Sequence, residues 1–192
     1  MASSSTPAPV ALVGFMGSGK SAVGRALAAV LGLPFVDCDE VISETAGPIP
    51  DIMAQSGEAG FRAIERTVTL DALERSLVEP CVVALGGGAV LDGDVREALK
   101  RLPHVAWLTA PVGVMWERVR RAGLAGRPLA HDEAGFARLY EERVPLYEKV
   151  ASLVVVNDGS MNLAEVAASL LARMATIRAD RARERRAGSG AP

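Results

Sequence analysis

The residues able to do chemistry are concentrated in Gly14-Phe15-Met16-Gly17-Ser18-Gly19-Lys20-Ser21, which fits the phosphate-binding pattern G-x-x-x-x-G-K-[ST]. Consecutive backbone N–H groups can wrap phosphate oxygens only where no Cβ blocks the approach, which suits Gly14, Gly17 and Gly19. Lys20 adds a mobile charge for the β and γ phosphates, and the Ser21 hydroxyl can ligate Mg2+. The flanks agree. An apolar run over residues 10–13 reads as a strand, and the alanine-rich stretch 21–31 reads as a helix. That helix would aim its free N–H groups and positive dipole end at the anion. A dinucleotide fingerprint also fits Gly17-x-Gly19-x-x-Ala22, with Asp37 standing 20 residues after Gly17 as a ribose-binding acid. The loop's start at Gly14 and a lysine in the first helical turn favour a nucleoside triphosphate instead.

Further along, four groups of residues could complete a phosphoryl-transfer site. Asp37-Cys38-Asp39 ends a short apolar run, and a strand would put both carboxylates on the same side of it. One acid could serve Mg2+ and the other an acceptor hydroxyl; the same pair could instead cap the next helix. Glu58, Arg62 and Glu65 are neighbours at helical spacing. They make either a guanidinium pre-aimed at an anion or a plain exposed ion pair. Gly86-Gly87-Gly88 follows the apolar run 81–85 and permits close backbone approach, or merely a turn. The aperiodic stretch 122–131 has the look of a lid, and its Arg127 could stabilise charge on a transferred phosphoryl group. Arg143 lies beyond it, with Tyr140 and Tyr147 nearby.

Positioning these groups requires a regular framework. The pattern predicts a first helix with Val23, Ala26, Leu27, Val30 and Leu31 on its buried face, ending at Gly32. Short helices are expected over 40–46 and 49–55, and a longer one from Glu58 with Phe61, Ile64, Val68, Ala72, Leu73 and Leu77 inward. Asp92 should cap a helix to Arg101; a strand 104–108 and a helix 112–121 follow. Then come a helix over 132–150 interrupted before Pro145, a fifth strand 152–156 and a closing amphipathic helix 161–174. Five strands alternating with helices imply an α/β fold, with a parallel sheet covered on both faces.

The 192 residues are 49% hydrophobic and carry a net charge of −2, which suits one domain with an adequate core and gives no global pull toward nucleic acid or acidic membranes. That domain is expected over residues 10–176, between a disordered lead-in 1–9 and a charged tail 177–192, solvated or frayed. No apolar run approaches the ~20 residues of a membrane span. The lead-in lacks the regions of a secretory signal. Cys38 and Cys81 read as reduced thiols of a cytoplasmic protein, and His104 and His131 as a strand edge and a loop residue rather than metal ligands.

Taken together, the Gly14–Ser21 loop, Asp37-Cys38-Asp39, Gly57-Glu58-Ala59-Gly60-Phe61-Arg62 with Glu65, Gly86-Gly87-Gly88, and Arg127-Pro128-Leu129 followed by Arg143 resemble the shikimate kinase family over residues 10–174. The resemblance implies a P-loop NTPase-like three-layer sandwich with strand order 2-3-1-4-5 and a lid over about 120–132. It implies transfer of the ATP γ-phosphoryl group to the 3-hydroxyl of shikimate, in aromatic amino-acid biosynthesis. ATP would be held by Gly17, Ser18, Gly19, Lys20, Ser21, Ala22 and Arg127. A lid arginine would meet adenine; Arg120 and Arg121 both qualify, and Arg121 is taken for it. Mg2+ would sit on Ser21 and, through water, on Asp37. Shikimate would be bound by Asp39, Arg62, Gly86, Gly87, Gly88 and Arg143, with Lys20, Asp39 and Arg127 as the catalytic groups. In the loop after the fifth strand the family often places an adenine-contacting arginine; here it reads Asn157-Asp158-Gly159. The implied partners are ATP or ADP and shikimate, with no nucleic acid or membrane, on a monomer. Another small-metabolite kinase, such as a gluconate kinase, is the nearest alternative, and a non-catalytic ligand-binding module is a more distant one.

Overall fold

The computed structural model describes residues 8–123 and 132–188. Five parallel strands form one sheet in the order β2-β3-β1-β4-β5: β1 (Val10–Val13), β2 (Phe35–Asp37), β3 (Val82–Ala84), β4 (His104–Thr109) and β5 (Leu153–Val156). The order is the one expected. Residue alternation along β1 feeds two cores. Val10 and Leu12 join Val82, Ala84, Ala106 and Leu108 beneath α1 (Lys20–Leu31) and α7 (Leu163–Gly188). Ala11 and Val13 join Val83, Val105 and Trp107 on the other face. That face is covered by α3 (Ile49–Val78), α4 (Gly93–Lys100), α5 (Val112–Arg121) and α6 (Glu133–Val150). A central parallel strand is thus apolar at every position. A third cluster of Ile42, Ile52 and Phe61 joins α2 (Cys38–Ala46) to the start of α3.

Several elements differ from their expected form. Helix α1 buries Val23, Gly24, Leu27 and Ala28, so its inward face is turned from the expected one and leaves Val30 60% exposed. The helices before and after Gly57 are joined as α3, with Gly57 at φ 66°, ψ −176° as the kink between them. Asp92 caps α4 as expected, its Oδ1 accepting from the Asp94 and Val95 N–H groups at 2.9 and 3.0 Å. Helix α6 continues through Pro145. The proline is exposed and so is Glu141, whose carbonyl would have taken the missing N–H bond, so water can replace it. The stripe Phe136, Arg143, Tyr147 and Val150 stays buried on the opposite side. Helix α7 does not end near Met174 but runs to Gly188, where Arg181 donates to the Pro103 carbonyl at 2.9 Å.

Both cysteines are buried and free, and burial pushes the Cys38 thiol up to about 12. Among the described residues no helix is long and apolar enough to cross a membrane.

Candidate active site

At the carboxyl ends of β1, β2 and β3 the sheet opens into a cavity of about 720 Å3. Its walls include Gly17, Gly19, Lys20, Ser21 and Ala22 from the glycine loop and the first turn of α1. Asp37 and Asp39 line it from β2 and α2, Phe61, Arg62 and Glu65 from α3, Gly87 and Gly88 from the loop after β3, and Arg143 from α6. Most of the residues singled out from sequence therefore meet in one space.

The glycine loop has the shape its composition demands: Gly14, Gly17 and Gly19 all have positive φ, at 146°, 79° and 93°. Ser18 is fully buried between the last two. Lys20 Nζ donates to the carbonyls of Gly14 at 2.8 Å and Phe15 at 3.2 Å, which suspends its charge over the loop. A phosphate seated there would meet a cation already aimed by the loop's own carbonyls.

The two aspartates are not placed as a pleated strand would place them. β2 ends at Asp37, and Asp39 belongs to the first turn of α2. Asp37 Oδ1 accepts from the Asp39 N–H at 3.1 Å, so this carboxylate caps the helix and lines the cavity as well. Both expected roles are compatible, because one oxygen suffices for the cap.

Arg62 is held as a fork. Its Nη1 donates to Glu65 Oε2 at 2.5 Å and its Nη2 to Glu58 Oε1 at 3.2 Å, with the guanidinium 5.2 Å from the Phe61 ring. Glu65 is 3% exposed, so the triplet is no plain surface pair. Burial pushes the Glu65 carboxyl above its usual range, Arg62 opposes that, and Asp39 adds to it. Arg143 is buried too, with Nη1 3.4 Å from the Gly87 carbonyl and its guanidinium 5.1 Å from the Phe15 ring. Tyr147 Oη donates to the same carbonyl at 2.6 Å.

The triple glycine is neither a mere turn nor only a ligand-facing backbone. Gly86 lies behind the cavity wall, where a Cβ would run into Glu65 Oε1 and come within 2.9 Å of Asp39 Oδ1. A Cβ on Gly87 would meet Met16 N and Gly14 O of the phosphate loop at 3.4 and 3.5 Å. One on Gly88 would enter the Arg62 guanidinium. The segment lets the groups on α2 and α3 close up against the glycine loop.

Near the end of α5 the geometry departs from expectation. Arg120 and Arg121 both pair with Glu117, at 3.0 and 2.9 Å, and neither lines the cavity; the arginine that does is Arg118. Sequence reasoning passed over Arg118, whose only signal is its position three residues before Arg121 on an otherwise charged helical face. Arg127, with most of the expected lid and His131, lies outside the described residues.

Ser21, Asp37 and Asp39 offer one hydroxyl and carboxylate oxygens in the same cavity as the glycine loop. That is an all-oxygen, partly filled donor set. It suits a small hard cation that keeps several waters and leans on substrate phosphates.

Among known proteins, the chain matches the family model described as shikimate kinase over residues 16–175. A shikimate kinase of Ruegeria pomeroyi is 42% identical over 171 residues, covering 87% of this chain and 85% of that one. One from Symbiobacterium thermophilum is 41% identical over 169 residues, covering 86% and 95%. The solved structure of shikimate kinase from Acinetobacter baumannii in complex with shikimate superposes with a TM-score of 0.79 at 35% identity, covering 86% of this chain and 92% of that one.

Proposed function

Because this chain belongs to the shikimate kinase family, we propose that it transfers the γ-phosphoryl group of ATP to the 3-hydroxyl of shikimate, giving shikimate 3-phosphate and ADP. The observation that carries the reading is the convergence of two kinds of cationic group on one cavity. Lys20 comes from the glycine loop, and Arg62 and Arg143 reach the same space from α3 and α6. A polyphosphate fits the first, and a small ring acid fits the second.

Gly17, Ser18, Gly19, Lys20, Ser21 and Ala22 hold the phosphates through backbone N–H groups and the lysine charge. Arg62 and Arg143 take the acceptor carboxylate as guanidinium donors, each fixed beforehand by protein partners, so little entropy is lost on binding. Asp39 accepts from the acceptor hydroxyls and orients the attacking oxygen toward the γ-phosphorus. The Gly86–Gly88 segment sets that spacing by letting Asp39, Glu65 and Arg62 approach. Lys20 is the catalytic cation on the nucleotide side, stabilising charge that moves onto the bridging and terminal oxygens. Arg127 supplies positive charge to the transferred group, and Arg121, which pairs with Glu117 and does not line the cavity, reaches adenine only by leaving that pair. Mg2+ on Ser21 and Asp37 supplies charge neutralisation to the phosphates when bound.

We read the protein as a monomer, and two free buried thiols are in keeping with a reducing, cytoplasmic setting. A coupled ADP-release assay with shikimate and gluconate as acceptors tests the assignment. Turnover with shikimate is expected; turnover with gluconate and none with shikimate would overturn it.

A further inference from the structure

Two carbonyls of the phosphate loop are each taken by a side chain from a distant element. Arg118 Nη1, from α5, donates to the Gly17 carbonyl at 3.2 Å and to the Asn157 carbonyl at 2.9 Å. Asn157, the residue after β5, donates through Nδ2 to the Ser18 carbonyl at 2.9 Å. Its own N–H bonds the Thr109 carbonyl at 2.7 Å, which ties it to the end of β4. The Asn157 side chain also occupies the space where a Cβ on Gly19 would stand.

These contacts act on peptides that glycine leaves loose. In a planar trans peptide the C=O and N–H point in opposite directions. Holding the Ser18 carbonyl therefore fixes the direction of the Gly19 N–H. Holding the Gly17 carbonyl fixes the Ser18 N–H, which closes on the Phe15 carbonyl at 3.2 Å. Gly17 borders the first peptide and Gly19 the second, and neither has a Cβ to hinder rotation. A rotated peptide would turn a carbonyl toward the phosphate and replace attraction by repulsion.

We propose that Arg118 and Asn157 are positioning residues for nucleotide. As a two-member brace they hold the Ser18–Gly19 peptide with its N–H in the anion-binding orientation and the Gly17–Ser18 peptide closed on Phe15 behind it, and so set the affinity for a nucleoside polyphosphate. The proposal rests on reading the loop as the ATP site. Asn157 does not line the cavity, so its effect on nucleotide must pass through the loop, whereas Arg118 borders the cavity as well.

The test uses Asn157→Ala, Arg118→Met and the double variant of the full chain. It measures the ADP Kd by calorimetry, the KM for ATP and for shikimate, and the Tm. Each single variant is expected to weaken ADP and raise the KM for ATP about tenfold, with the KM for shikimate little changed. The double variant should fall well short of the product of the singles, because both residues secure one loop. An unchanged ADP Kd with a lowered Tm, an equal rise in both KM values, or a full product in the double variant would overturn the brace. Should Asn157→Ala fail to fold, the near-isosteric Asn157→Asp removes the donor without leaving a void; there too a weakened ADP Kd is expected, and an unchanged one overturns the proposal. If the wild type binds ADP but does not phosphorylate shikimate, the functional reading fails while the ADP measurement still decides the brace.

Discussion

Arg62 occupies the space that a side chain on Gly88 would need: a Cβ there would stand 2.6 Å from Arg62 Cζ and overlap the guanidinium nitrogens. Gly88 itself has φ −97°, a conformation open to any residue. What an added methyl displaces is the far end of a flexible side chain. Gly88→Ala should therefore fold with a Tm close to wild type, yet lose the aim of Arg62. The KM for shikimate is expected to rise about 10–100-fold, the range of a lost charged hydrogen bond of ~1.5–3 kcal/mol. The KM for ATP should stay put. Parallel kinetics for both substrates check this, and a large Tm loss would mean that Gly88 is needed for folding rather than for aim.

Arg62→Ala removes the fork itself and should weaken shikimate far more than ATP, again by ~1.5–3 kcal/mol. The exposed Glu58 and buried Glu65 lose a partner together, so some stability goes as well. Equal losses for the two substrates would mark Arg62 as structural.

Glu65 gives that fork a pH dependence. Burial raises its carboxyl pKa, so on acidification it takes a proton earlier than an ordinary glutamate and then no longer pairs as an anion with Arg62. The wild-type KM for shikimate should rise as the pH falls toward that raised value. Glu65→Gln should start from a higher KM and lack this component. The difference between the two pH profiles isolates Glu65 from titration of the acceptor and of Asp39. Superimposable profiles would remove Glu65 from the role.

How much of this was legible in the sequence follows from the range of the forces involved. The glycine loop, its strand and its helix were readable because each depends on near neighbours: an apolar run, glycines at fixed offsets and a lysine one position on. Glu65 was seen as a neighbour of Arg62, but its burial was not, since that depends on Gly86 leaving room from another part of the chain. Arg118, and the contact that Asn157 makes with the glycine loop, escaped notice because their partners, Gly17 and Ser18, lie 101 and 139 residues away. The strand geometry assigned to Asp39 failed for a local reason. Asp37 is a good helix cap, and capping turned the chain one residue after it. The continuation of α7 past Met174 was hidden because the apolar stripe thins there. Alanine and arginine sustain a helix by propensity without an amphipathic pattern.

Lys20 is the charge nearest the phosphate seat, held by two carbonyls of its own loop. Lys20→Ala should leave the sheet intact and lower kcat roughly 10²–10³-fold, the usual scale for removing one group aimed at transition-state charge. The KM for shikimate should change little. Single-turnover measurements with saturating ATP distinguish a lost chemical step from weakened nucleotide binding. A variant with normal kcat would place the transferring phosphate elsewhere.

At the opposite end of the sheet, His104 is 5% exposed at the start of β4, and its Nδ1 has no hydrogen-bond partner among the described residues. Burial lowers its pKa, and the Arg181 and Arg178 charges carried by the continuation of α7 lower it further. The folded state thus favours neutral imidazole, while the unfolded chain protonates near the ordinary value of about 6.5. Below that pH the unfolded state binds the extra proton. The stability contributed by His104 is therefore full above about 6.5 and is lost as the pH falls from there to the depressed folded-state value. Thermal unfolding at pH 7.5 and 5.5 should show a drop in Tm for the wild type. A smaller drop is expected for His104→Val, which keeps an apolar, β-branched side chain in the same strand. Equal drops in the two proteins would assign the pH dependence to carboxylates and clear the imidazole of any part in it.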